Sequence, residues 1–153
     1  VQNCKHYIVD GNNLIGKDKA LSKIQRTDMA GARKSALALL ETFLHENKVR
    51  ISCHFDGHPD DTIKARGIQI NYSFKKEADY FIKKEIDSII NKNNVVVVTS
   101  DSNVAQYARI SGCSVVSSEE FIRGLRGGKR IDKEEEKIRQ INNVDEFKRL
   151  FGV

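Results

Sequence analysis

Five apolar runs of strand length punctuate the chain, with helical stripes between most of them. Residues 7–10 (Tyr-Ile-Val-Asp) form the first run and residues 49–55 (Val-Arg-Ile-Ser-Cys-His-Phe) the second. Residues 67–72 alternate as a short third strand. Residues 95–99 (Val-Val-Val-Val-Thr) are continuously apolar, as expected of a strand covered on both faces. Residues 114–116 supply a fifth. Over residues 29–47, Met29, Ala32, Ala36, Leu40, Phe43 and Leu44 recur at helical spacing, with Asp28 placed to cap the helix. Ala78, Phe81, Ile82, Ile86, Ile89 and Ile90 mark one side of a second helix over residues 76–91. A shorter helix over residues 103–111 ends at Gly112, and Ser117 or Ser118 opens another that runs through Leu125. At Gly11-Asn12-Asn13 the pattern gives only a turn, which Gly11 permits directly after the first strand.

Strands alternating with helices predict βαβ units and a mostly parallel sheet, hence a three-layer α/β/α domain. The expected strand order is 3-2-1-4-5, with the topological switch between strands 1 and 4. Ligands of such sheets bind beyond the carboxyl ends of the strands, at the switch. This domain is expected to occupy residues 1–125. Residues 126–153 read as a charged helical extension: a basic hinge over residues 126–130, a solvated helix over residues 131–140, and an apolar stripe of Val144, Phe147, Leu150 and Phe151. The stripe is expected to dock on the domain; the alternative is a helix that recruits a protein or ribonucleoprotein partner.

The apolar runs stop at acids. Asp10, Asp56 and Asp101 follow the first, second and fourth strands, while Glu77 and Asp79 open a helix. Neighbouring strands lie about 4.8 Å apart, so acids at several strand ends converge on one pocket. Such a pocket repels itself unless protons or cations fill it, and clustered carboxylate oxygens suit Mg²⁺ or Mn²⁺. Each motif also has an ordinary structural explanation. Asp-Gly/Asn is a common turn, Asp101 or Ser102 is a natural N-cap, and acids favour any first helical turn. Asn12 and Asn13 suit hydrogen bonds to a carboxylate, water or phosphate oxygen. His54 in a strand and His58 in a turn are read as structural.

Composition narrows the class. Charged residues make up 31% of the chain and hydrophobic ones 39%, with a net charge of +5. That is a globular composition with a surface suited to a polyanion. Tyr72, Phe74 and Tyr80 interleave with Lys75, Lys76, Lys83 and Lys84, a pattern that serves either a single-strand clamp or core packing. No apolar run is long enough for a membrane helix, and the polar start gives no secretory leader. Cys4, Cys53 and Cys113 lack metal-site or disulfide spacing. The expected compartment is therefore the cytoplasm. A phosphate loop, a dinucleotide fingerprint and a nucleophile elbow are all missing. A small-molecule phosphatase is disfavoured because Asn12 stands where that class places its second Asp.

Taken together, V-D-G-x-N at the first strand, F-D-G-H at the second, E-A-D at a helix start and V-T-S-D at the fourth strand resemble the NYN domain in its YacP-like branch. The resemblance spans residues 7–125. It implies a PIN-like fold and a metal-dependent endoribonuclease acting on mRNA, tRNA or rRNA. It assigns catalysis to Asp10, Asn13, Asp56, Glu77, Asp79, Ser100 and Asp101, with Asp10, Asp79 and Asp101 holding the metal. Asn12, Arg33, Lys75 and Lys76 are the expected RNA contacts. Asn12 departs from the family pattern, which usually has Tyr there. A non-catalytic RNA-binding module is the alternative.

Overall fold

The computed structural model describes residues 4–127. Five strands form one parallel sheet in the order β3-β2-β1-β4-β5: β1 (Lys5–Asp10), β2 (Val49–Phe55), β3 (Ile68–Tyr72), β4 (Val95–Val98) and β5 (Ser114–Val116). The expected order and the switch between β1 and β4 both hold. Six helices connect and cover the sheet: α1 (Gly11–Gly16), α2 (Lys19–Thr27), α3 (Met29–Glu46), α4 (Ala78–Ser88), α5 (Ser102–Ser111) and α6 (Ser118–Gly127).

The period-2 alternation of β1 divides the core. Tyr7 and Val9 point to one face, where α1, α2, α3 and α6 bury Leu14, Ile15, Leu21, Leu37, Leu40 and Phe121. Ile8 points to the other, where α4 and α5 bury Ile82, Ile86, Val104 and Ala108 against Val95 and Val97. The result is an α/β/α sandwich whose central strands are buried on both faces, as the Val95–Val98 run requires. Tyr7, Phe43 and Phe121 form an aromatic knot on the first face, with ring centroids 5.1–5.8 Å apart.

Caps fall where the sequence places them. Asp28 Oδ1 accepts from the Gly31 N–H at 2.9 Å, and Gly112 ends α5 in the left-handed conformation at φ 101°.

Four local features depart from expectation. The expected turn after β1 is instead the start of α1, and Gly11 is needed for packing: a Cβ there would lie 2.5 Å from the Phe55 ring. The pattern gave no sign of α2. Helix α4 stops at Ser88, leaving Ile90 98% exposed rather than on the buried stripe. Finally, α6 continues through Gly127, so the first two residues of the expected basic hinge are helical; Arg126 pairs with Asp18 at 2.9 Å. The expected helices over residues 131–140 and 144–151 lie outside the described residues.

Candidate active site

Three acids gather at the carboxyl edge because β1, β2 and β4 are neighbours in a parallel sheet. Asp10 is the last residue of β1, Asp56 follows the end of β2, and Asp101 lies three residues beyond β4. Asp10 is the buried member, only 8% exposed, and its Oδ2 accepts a 3.0 Å hydrogen bond from the Thr99 hydroxyl. Burial raises its carboxyl to about 6. The Thr99 hydroxyl and the Asn13 backbone pull it down, while the charges of Asp56 and Asp101 push it up. The three carboxylates therefore share one electrostatic field.

Each acid also meets a helix start. Asp10 occupies the N-cap position of α1, without a side-chain cap bond. Asp56 Oδ1 accepts from Ala78 N–H, the first of α4, at 2.8 Å. Asp101 Oδ1 accepts from the N–H groups of Asn103 and Val104 at 2.9 and 3.2 Å, capping α5. The positive ends of these helices offset part of the repulsion that three converging carboxylates create. Thr99 links two of the acids, since its hydroxyl oxygen also accepts from Asp101 N–H at 3.1 Å.

Polar side chains brace this edge. Asn13 Oδ1 accepts from Ser100 N–H at 2.8 Å and from the Ser118 hydroxyl at 2.7 Å, tying α1 to the loop after β4 and to α6. The Ser100 hydroxyl pairs with Glu119 and accepts from Ser118 N–H. Asn12 Oδ1 accepts from Asp56 N–H at 2.7 Å. Arg33 donates to the Asp56 carbonyl at 2.6 Å, its guanidinium 5.1 Å from the Phe55 ring centroid and 5.9 Å from that of Tyr72.

The sequence-predicted residues thus fall into groups. Asp10, Asp56 and Asp101 are brought together, with Asn13 and Ser100 bonded beside them. Asn12 and Arg33, expected at the RNA, spend their visible bonds holding the Asp56 backbone. Arg33 is only 9% exposed, and its Nε is buried without a partner. Asp79 lies in the first turn of α4 and faces Lys83 at 4.0 Å. Glu77 is exposed at the N-cap of α4 without a cap bond. Lys75 and Lys76 are exposed, Lys76 with its ammonium 4.0 Å from the centre of the Tyr80 ring.

Thr99, which matches the fourth motif but carries no expected role, and Ser118 join the bonds of this edge. Thr99 was visible inside V-T-S-D, where its polarity interrupts a valine run. Ser118 reads only as a cap, because its approach to Asn13 depends on a contact 105 residues apart in sequence. His54, expected to be structural, shares Glu85 with His6 and Ser52. Among the described residues, no group of three or more His, Cys, Asp or Glu is arranged to hold a metal ion as it stands. The donor chemistry nevertheless suits a hard cation: Asp10 has one oxygen outside the Thr99 bond, and its burial, with Asp56 and Asp101 adding a smaller repulsion, makes its charge costly without a counter-charge.

Comparison with known proteins agrees with the fold. Two crystal structures of Rae1 (YacP) from Bacillus subtilis superpose well. One, a point mutant, has a TM-score of 0.73 and 20% identity, covering 96% of this chain and 89% of the other. The second has a TM-score of 0.71 and 21% identity, covering 97% and 92%. No curated protein matches the chain. The YacP-like NYN domain matches residues 7–150, continuing past the expected boundary at residue 125. A match over nearly the whole chain, on a sheet of the same order, settles its kinship: the chain belongs to the YacP-like NYN family, a ribonuclease-type family.

Proposed function

We propose that this protein is a metal-dependent endoribonuclease that hydrolyses RNA phosphodiester bonds in the cytoplasm. The observation that carries this reading is the convergence of Asp10, Asp56 and Asp101 at the ends of three adjacent parallel strands, with Asp10 buried among them. Family membership supplies the substrate class.

Asp10 is the proposed centre of a Mg²⁺ or Mn²⁺ site, and Asp79 and Asp101 would be its further ligands. A divalent ion held there supplies Lewis-acid chemistry, polarising the phosphoryl group and lowering the pKa of water. The chain's own residues do the positioning. Thr99 fixes the Asp10 carboxylate through its hydroxyl, and Asn13 fixes the Ser100 backbone. Ser100, whose hydroxyl proton goes to Glu119 and whose N–H goes to Asn13, then orients water as an acceptor. Asp56 and Glu77 are ligands or orient the attacking water. Asn12 and Arg33 serve this function by holding Asp56 in place, and Lys75 and Lys76 take the phosphate backbone at the rim.

The test is incubation of the purified protein with a mixed RNA pool, with and without Mn²⁺, followed by mapping of fragment ends. Internal cuts that need the ion are expected. RNA binding without Mn²⁺-dependent cutting would replace the nuclease with a binding module.

A further inference from the structure

Phe74 is costly to the fold in two ways. It is the sole non-glycine residue with positive φ among the described residues, at 59°, a conformation glycine adopts freely and Phe does not. It is also 54% exposed, so its ring is not repaid by burial. The surrounding backbone nevertheless pins it. Phe74 N–H donates to the Gly57 carbonyl at 2.7 Å, forming an antiparallel bridge. On either side, Ser73 N–H donates to the Phe55 carbonyl at 3.1 Å and Lys76 N–H to the Ser73 carbonyl at 3.1 Å. The Ser73 hydroxyl accepts from Gly57 N–H at 3.2 Å. Backbone strain that persists because its surroundings over-determine it clusters at active sites, ligand clamps and switch regions.

The position gives the strain a use. The Gly57 bridge immediately follows Asp56, and Ala78, which Asp56 caps, comes four residues after Phe74. The ring is thereby tied to the acidic edge through both ends of its loop. His58 meets it nearly perpendicularly, with centroids 5.6 Å apart, and does not stack over it. Tyr80, the other exposed aromatic of this region, has the ammoniums of Lys76 and Lys84 at its ring, 4.0 and 5.6 Å from the centroid. Phe74 is thus the aromatic here without a cation over it, next to lysines fit for phosphate. A cleft of about 820 Å³, lined in part by Arg50, Gln69, Asn71, Tyr72 and Phe74, opens at the same ring and offers amide and guanidinium donors.

We infer that Phe74 is a stacking platform for an unpaired nucleobase beside the cleaved bond. An unpaired base offers an open π-face that a duplex keeps within its stack, and aromatic side chains read single strands in this way. The inference rests on the ribonuclease reading above.

The test uses a short RNA carrying one 2-aminopurine, free or annealed to its complement, with the full-length protein in EDTA to suspend turnover. Wild type should bind the single strand more tightly than the duplex and quench the fluorophore. Phe74→Gly removes the ring and relieves the backbone, so its melting temperature should hold or rise. Its single-strand affinity should fall about 5- to 100-fold, with the duplex little changed. Phe74→Trp should restore affinity and quenching. With Mn²⁺ present, the Gly variant should show the loss mainly in KM rather than kcat. Unchanged affinity in Phe74→Gly, with wild type still binding and cutting RNA, overturns the platform alone and leaves the ring to a protein contact. A marked fall in its melting temperature overturns it by making the ring structural. A wild type that neither binds nor cuts RNA overturns the platform together with the ribonuclease reading.

Discussion

At Asp10, stability and candidate chemistry meet in one buried carboxyl. Its carboxyl titrates near 6 in the folded protein and near 3.8 in the free side chain. Between these values the unfolded chain has lost the proton and the native one has kept it, so stability falls as pH rises from about 4 to 6. The native state then carries a charging cost of about 3 kcal/mol at neutral pH. Asp10→Asn keeps an acceptor for Thr99 and removes the charge. Glu85, whose carboxyl is lowered to about 2, adds a rising trend to both proteins, so across this range wild type should lose melting temperature relative to the variant, which should be the more stable at pH 7 and inactive on RNA. Parallel curves would mean that Asp10 carries no such burden. Gly11 shows the opposite kind of constraint: its role is steric, set by the Phe55 ring 2.5 Å from where a Cβ would stand.

At the scale of elements, caps and candidate chemistry coincide, and the coincidence can be separated. Asp101 caps α5 through two N–H groups. Asn is as good an N-cap as Asp, whereas Ala costs about 1 kcal/mol. Asp101→Asn should therefore melt like wild type, and Asp101→Ala should melt lower. Both should lose most Mn²⁺-dependent cleavage if the charge matters. Full activity in Asp101→Asn would reduce Asp101 to a cap. The long helices and buried strands were legible because their periodicity covers many residues, as in α3 and β4. Helices α1 and α2 were not, because six and nine residues with few apolar positions give little period to read. Their anchors, Leu14, Ile15 and Leu21, are buried by tertiary packing. Ile90 misled for a related reason: it fits the stripe of α4, but the helix ends at Ser88.

For the whole molecule, a net charge of +5 sits on a chain whose candidate site is locally acidic. Phosphate attraction must then come from a basic rim. RNA affinity should fall steeply with salt, since each phosphate contact releases counterions. Replacing Lys75 and Lys76 together with Ala should lower the slope of log affinity against log salt by about 1 to 2. An unchanged slope would move the basic surface elsewhere. No described helix is long and apolar enough to cross a membrane.

The sequence alone determined the sheet order, because continuous valine and alternating strand runs separated by helical stripes admit few topologies. It determined that acids end those strands, because strand termini are local events. It also singled out Asp28, Asp101 and Gly112 as helix ends, since capping depends on neighbours within a turn. Tertiary structure decided what those residues do for one another. Thr99 reaches Asp10 across 89 positions, Asn13 reaches Ser118 across 105, and Arg33 is buried onto the Asp56 carbonyl instead of facing solvent. It also placed Phe74 in a strained, exposed pose through a bridge to Gly57. Periodicity and capping act over one or two turns of chain, so they can be read from neighbours. Hydrogen bonds between distant segments depend on where the whole sheet brings those segments, and no local pattern records that.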